Sequence, residues 1–143
     1  MFDTLGFLTI NTAFQAKQNL NSIFQSDAAD ATADQFVILS VLLTADGLVQ
    51  KKLSVRCYKS NSNLTRILNV MESKGLIMRQ KGRDARSRTI HITRPGRVLY
   101  QKLAPLAESY NRQLFQSFTE EELLLYKTLL LKIRSSLPGQ DKG

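Results

Sequence analysis

Residues 60–97 read SNSNLTRILNVMESKGLIMRQKGRDARSRTIHITRPGR. Leu64, Ile67, Leu68 and Met71 recur at i, i+3, i+4 and i+7, the spacing of one buried helical stripe. At about 100° per residue the opposite face centres on Ser62, Arg66 and Asn69, with Asn63 and Thr65 beside it. Ser60 suits the N-cap, where its hydroxyl can accept from first-turn N–H groups, and Gly75 suits the stop, because glycine takes a left-handed conformation at little cost. The exposed face thus carries amides, hydroxyls and one guanidinium, with no acid before Glu72. Such groups hydrogen-bond base edges and phosphates in a DNA major groove. Taken alone, the same pattern also describes an ordinary solvated helix face.

The residues that follow decide between these readings. Leu76–Lys81 and Arg88–Thr93 alternate weakly, with Ile90 and Ile92 on one face and Thr89 and His91 on the other, as half-buried strands do. Between them lies Gly82-Arg83-Asp84-Ala85-Arg86-Ser87. From Arg79 to Arg97 there are seven basic residues against one acid, Asp84. A cationic hairpin tip of this kind can reach the narrow minor groove, whose negative potential attracts arginine. Asp84 reads as a brace that directs Arg86 and Arg88 through charge-assisted hydrogen bonds.

The whole chain agrees. At 143 residues it has one domain's length, enough to bury roughly two-thirds of the surface an unfolded chain exposes. Its net charge of +8 favours a polyanionic partner, and Lys17 is the single basic residue among the first 50, so the positive charge belongs to later segments. The N-terminus lacks a basic leader region, and Lys127 breaks the longest apolar stretch, LLLYKTLLL; the expectation is a cytoplasmic protein with no membrane association. One cysteine excludes an intrachain disulfide framework.

Elsewhere the pattern is helical. Residues 4–24 carry an apolar face of Leu5, Leu8, Phe14, Leu20, Ile23 and Phe24, and residues 25–31 form a polar connection. Thr32 and Gln35 make a capping box for a helix that stops at Asp46-Gly47, and a short helix over about 51–58 leads through a turn into the helix from Ser60. Two helices joined by a turn, the second presenting a polar face, constitute a helix-turn-helix. Thr93 caps a further helix with Pro95 in its first turn, running to about Ser117 with Val98, Leu99, Leu103, Leu106, Tyr110 and Leu114 inward. Thr119 and Glu122 form a second capping box, with Phe118 and Leu123 placed as a hydrophobic staple. The last helix, to about Leu137, is apolar nearly all round, which a monomer would struggle to cover; burial within a single chain's core is the alternative.

Along nearly its whole length the chain resembles the MarR (multiple antibiotic resistance regulator) family of winged-helix transcription factors. The resemblance is carried by Leu53-Ser54, by Ser60 to Ile77 ending in ESKGLI, by Asp84-Ala85-Arg86 in the wing, and by Ile92-Thr93-Arg94-Pro95-Gly96. It implies one mainly α domain with a small β-hairpin wing over residues 1–143: a winged helix-turn-helix DNA-binding lobe at 32–96 flanked by dimerisation helices at 1–24 and 97–137. It also implies a homodimer with its two lobes on adjacent major grooves, acting as a repressor or activator, usually a repressor. Release by an oxidant or a small ligand, often an aromatic or phenolic anion, is part of the same implication. Tyr58 stands where the family often has glycine, and the N-cap of the third helix, usually Ser or Thr in the family, falls near Val49-Gln50.

Cys57 follows Leu53 by four residues, at an apolar position the family usually fills with leucine, and reads as core rather than as a redox sensor. His91, on the outer face of a wing strand, reads as solvated. No metal or cofactor site is expected, because one His and one Cys cannot supply the usual ligand spacing, and no phosphate loop or nucleophile elbow suggests an enzyme. The sequence therefore reads as a regulator that binds a pseudo-palindromic double-stranded DNA operator. Ser62, Asn63, Thr65, Arg66 and Asn69 face the major groove, with Arg66 the principal base reader; Arg86 enters the minor groove; Lys81, Arg83 and Arg88 anchor phosphates, with Asp84 among them in the wing. A winged-helix module that docks an acidic protein is the alternative, and an RNA binder a third reading, weakened by the lack of aromatic platforms.

Overall fold

The computed structural model describes residues 2–27, 29–84 and 86–138. Ala28 of the polar connection and Ala85 of the wing lie outside them. The element order is α1 (Phe2–Ser26), α2 (Ala33–Thr44), β1 (Leu48–Val49), α3 (Gln50–Arg56), α4 (Asn61–Ser73), β2 (Ile77–Lys81), β3 (Arg88–Ile92), α5 (Arg94–Leu114) and α6 (Glu120–Ser136). The chain forms two compact units, 1–107 and 108–143, whose boundary falls inside α5.

The core of the first unit follows from the helical stripes. Ile38, Leu39 and Leu42 of α2, Leu53 and Cys57 around α3, and Leu64, Ile67, Leu68 and Met71 of α4 are buried together with Ile77, Ile90 and Ile92 of the hairpin. Burying each large side chain of this set stabilises the unit by about 1.5–3 kcal/mol. Phe24, Ala29, Ala31, Leu103 and Ala107 form a second cluster, where Phe36 meets Phe24 edge-on and stacks on Tyr100. The first part of α5 is thereby tied to α1 and α2. The inward set expected for α5 is corrected at two places: Val98 and Leu114 are exposed, and Ala107 is buried instead.

The caps form as expected. Thr32 accepts from Gln35 N and Gln35 returns a bond to the Thr32 backbone; Thr119 and Glu122 do the same for α6. Ser60 Oγ accepts from Asn63 N. Thr93 Oγ1 accepts from Gly96 N at 3.2 Å and donates to Gly75 O at 2.5 Å, tying the start of α5 to the end of α4.

Two features were not legible as periodicity. β1 is a two-residue strand that pairs antiparallel with β3, Leu48 opposite Ile90 and Val49 opposite Thr89, so the hairpin belongs to a three-stranded sheet of order β1-β3-β2. The short helix stops at Arg56 rather than near residue 58, because Tyr58 turns left-handed at φ 55. Val49 precedes α3 with no side-chain capping bond.

The second unit is unlike the first. Phe115, Phe118 and Tyr126 form a ring cluster. Every residue of α6 except Arg134 is exposed, including Leu123, Leu124, Leu125, Leu129, Leu130, Leu131 and Ile133. In the first unit α1 likewise exposes Leu5, Phe7, Leu8, Ile10 and Phe14. Among the described residues no helix is long and apolar enough to cross a membrane.

Candidate nucleic-acid interface

The helix α4 buries one side and offers the other. Ser62, Arg66 and Asn69 are exposed, Asn63 and Thr65 partly so. Arg66 Nη2 donates to Asn63 Oδ1 at 2.7 Å, an i to i−3 pair that holds the guanidinium along the helix surface. Thr65 is the least available of the five: its hydroxyl donates to Asn61 O at 2.9 Å and accepts from Gln50 Nε2 at 2.6 Å. Asn69 Oδ1 accepts from Arg79 Nη2 at 2.9 Å.

The wing presents charge without internal neutralisation. Lys81, Arg83, Asp84, Arg86 and Arg88 are all exposed, and none joins an ion pair among the described residues. The expected role of Asp84 needs correction. Its carboxylate accepts from the backbone N of Arg86 at 3.2 Å, and its carbonyl accepts from Ser87 N and Oγ, both at 3.1 Å. Asp84 therefore shapes the loop backbone and, among the described residues, makes no ion pair with the guanidiniums of Arg86 or Arg88, because a short side chain next to a turn reaches the near amide first.

Fold contacts bring wing and helices to one groove, lined by Gln50, Lys51, Asn61, Asp84, Arg86 and Arg88. Lys51 and Asn61 were not singled out from sequence; the Lys51-Lys52 pair opening a short helix was the available signal. Arg79 was counted with the wing cations but folds back against α4. Its Nη1 lies 3.2 Å from Glu72 Oε1, its backbone N donates to Glu72 Oε2 at 3.1 Å, and its side chain is only 14% exposed.

Cys57 and His91 stand apart from this face. Cys57 is 4% exposed, and burial pushes its thiol up to about 11 against the lesser opposing pull of Lys59, as a core cysteine should behave. His91 corrects the expectation of a solvated ring: it is half-buried over Gly47, with Nε2 hydrogen-bonded to Thr89 Oγ1 at 2.9 Å and Nδ1 3.9 Å from Asp46. The cause is β1, whose approach to β3 brings Asp46-Gly47 against the strand. Among the described residues no cluster of three or more His, Cys, Asp or Glu could hold a metal.

Residues 31–87, from the end of the α1–α2 connection through the wing tip, match the model of the MarR family. The winged lobe is a MarR-family domain. Related chains and folds extend the match on both sides. The chain is 29% identical over 107 residues to an uncharacterized HTH-type transcriptional regulator of Bacillus subtilis, YsmB, covering 74% of this chain and 73% of that one. It is 23% identical over 123 residues to the transcriptional regulator HosA of Escherichia coli, covering 85% and 91%. Among solved structures, the S. aureus MepR–DNA complex superposes with a TM-score of 0.80 at 25% identity, covering 91% of this chain and 95% of that one. The M. tuberculosis regulator MOSR in complex with DNA gives 0.77 at 26%, covering 90% and 93%. These likenesses span α1 to α6, so the mainly α winged-helix fold is that of MarR-family regulators.

Proposed function

We propose that this chain is a cytoplasmic, homodimeric, sequence-specific regulator of transcription that binds double-stranded DNA, most simply a repressor released by a small ligand. The observation that carries it is the conjunction of an exposed polar face on α4 with exposed, internally unpaired cations at the wing, on a MarR-family lobe. In this reading Ser62, Asn63 and Arg66 meet base edges in the major groove, with Asn69 at the margin and Thr65 held inward. Arg86 reaches into the minor groove, while Lys81, Arg83 and Arg88 grip phosphates. The exposed leucines of α6 and the apolar side chains of α1 supply the surfaces through which two copies associate. No observation on the structure favours a protein-docking role over this one.

Selection of bound sequences from a random duplex library, followed by affinity measurement at two salt concentrations, tests the proposal. A pseudo-palindrome with half-sites about one helical turn apart is expected. The enriched duplex should outbind a scrambled one, and both affinities should fall steeply with salt as counterions are released. If no sequence is enriched and all duplexes bind weakly, the regulator reading fails.

A further inference from the structure

The side-chain carbonyl oxygens of Asn63 and Asn69 on α4 both turn toward an arginine. Arg66 Nη2 faces Asn63 Oδ1 at 2.7 Å, and Arg79 Nη2 faces Asn69 Oδ1 at 2.9 Å. A guanidinium has donors only, so the amide atom turned toward it must be oxygen; both amides therefore turn their NH2 groups outward. The helix's carboxylate turns the same way, Glu72 Oε1 to Arg79 Nη1 and Oε2 to the Arg79 backbone N. Thr65 donates its hydroxyl proton to Asn61 O and accepts from Gln50. With each Oδ1 turned toward its arginine, the groups that Asn63, Arg66 and Asn69 turn outward to a ligand are hydrogen-bond donors.

We propose that Asn63, Arg66 and Asn69 form a donor-only reading surface that selects acceptor edges in the major groove, guanine O6 and N7 above all and thymine O4 next. The amino groups of adenine N6 and cytosine N4 are not read by it. This rests on the regulatory reading above. The familiar bidentate pairing of an asparagine with adenine needs its Oδ1 to accept from N6 while its NH2 donates to N7. Arg66 and Arg79 draw the accepting half of Asn63 and Asn69 toward the protein, so the oxygen and the NH2 are not presented side by side to an adenine edge. Guanine alone presents two adjacent acceptors, the edge that a guanidinium matches with two parallel bonds. Arg79 is thereby a positioning residue: it does not face DNA, yet it fixes which atom Asn69 shows.

The test starts from the duplex enriched by the wild-type full-length chain. Each half-site guanine is replaced by 7-deazaguanine, which lacks the N7 acceptor; each adenine is replaced by purine and each cytosine by 2-pyrimidinone, which lack the amino group. Affinities are measured with wild type, Arg66→Ala, Asn63→Ala and Asn69→Ala, so that any weakening of base pairing cancels within each cycle. Loss of a guanine N7 should weaken wild-type binding by roughly 5-fold or more, the lower end of one good base contact, and Arg66→Ala should erase that loss. Amino-group removal should show no coupling to Asn63 or Asn69. Coupling of roughly 5-fold or more between an amino group and either asparagine overturns the donor-only surface, as does a half-site with no guanine coupled to Arg66. An unenriched library is a different failure, because it removes sequence-specific binding itself. Circular dichroism of each variant confirms folding, and the wild-type analogue series requires no variant at all.

Discussion

Arg66 and Lys81 are both exposed cations, yet their settings differ. Arg66 is held along α4 by Asn63, whereas Lys81 closes a wing strand with no ion-pair partner among the described residues. Arg66→Ala should cost about 1–3 kcal/mol on the operator and relax preference at one position per half-site. Lys81→Ala should weaken operator and random duplex alike and flatten the salt slope by about one. Binding titrations on both duplexes read the contrast, and equal losses on both for the two variants would reject the division of labour. Cys57 belongs to the opposite class of residue. With its thiol held protonated up to about 11 by burial, alkylation of the folded chain should be slow at neutral pH and should accelerate on adding denaturant. An unfolded chain ionises this thiol from its ordinary 9.0, so Cys57's contribution to stability is intact below that pH and is lost as pH rises from there toward about 11. Fast native-state alkylation at neutral pH would place Cys57 at the surface.

Elements are joined here by single groups at their ends. Asp34, in the first turn of α2, bridges Lys17 of α1 at 2.7 Å and Lys59 of the turn before α4 at 2.6 Å. Burial pulls its pKa upward, but the hydrogen bonds and charges of the two lysines prevail and lower it from 3.8. A lowered folded-state pKa means that the bridge's contribution is present above 3.8 and is lost as pH falls through the lower folded value. Asp34→Asn should therefore cost on the order of 1 kcal/mol at neutral pH, after allowance for solvent screening, and progressively less in acid. Urea unfolding of both chains across that range measures the difference, and a gap that persists undiminished in acid would remove the ion pairs as its cause. Gly96 makes the other junction. A Cβ there would stand 2.2 Å from Leu76 O and 2.9 Å from Ile92 Cγ1, so α5 meets the hairpin root only because the residue is glycine. Gly96→Ala should destabilise by about 1–3 kcal/mol through overpacking. Gly6→Ala, in α1 with nothing within 4 Å of the added carbon, is the control and should be neutral or mildly stabilising.

For the molecule as a whole, the net charge of +8 and the uncovered helices set the expected behaviour. Leu124 and Leu131, seven positions apart on α6, are 67% and 51% exposed, so they stabilise little in a single chain. The double change Leu124→Glu, Leu131→Glu should leave the thermal stability of the winged lobe intact while shifting sedimentation from dimer to monomer and weakening operator binding. A dimer that persists with unchanged affinity would mean that α6 is not where copies meet. Much of this was legible from residue order. The α4 stripe of Leu64, Ile67, Leu68 and Met71, the capping boxes at Thr32 and Thr119, the hairpin and its cationic tip all follow from period, cap chemistry and charge, which depend on neighbours a few positions away. What escaped depends on distant partners. β1 is too short to alternate and exists because Asp46 Oδ1 accepts from Ile92 N at 2.8 Å and Gly47 N donates to Ile90 O at 3.0 Å. That same approach half-buries His91, and the burial at α5 shifts from Val98 to Ala107 through packing against α1 and α2. The sequence by itself determined which helix would carry the polar face and where the positive charge would lie. Only the tertiary structure decided which atoms of that face turn outward, because the return of Arg79 across Glu72 and Asn69 joins β2 to α4 over seven and ten positions, a contact that no helical or strand period encodes.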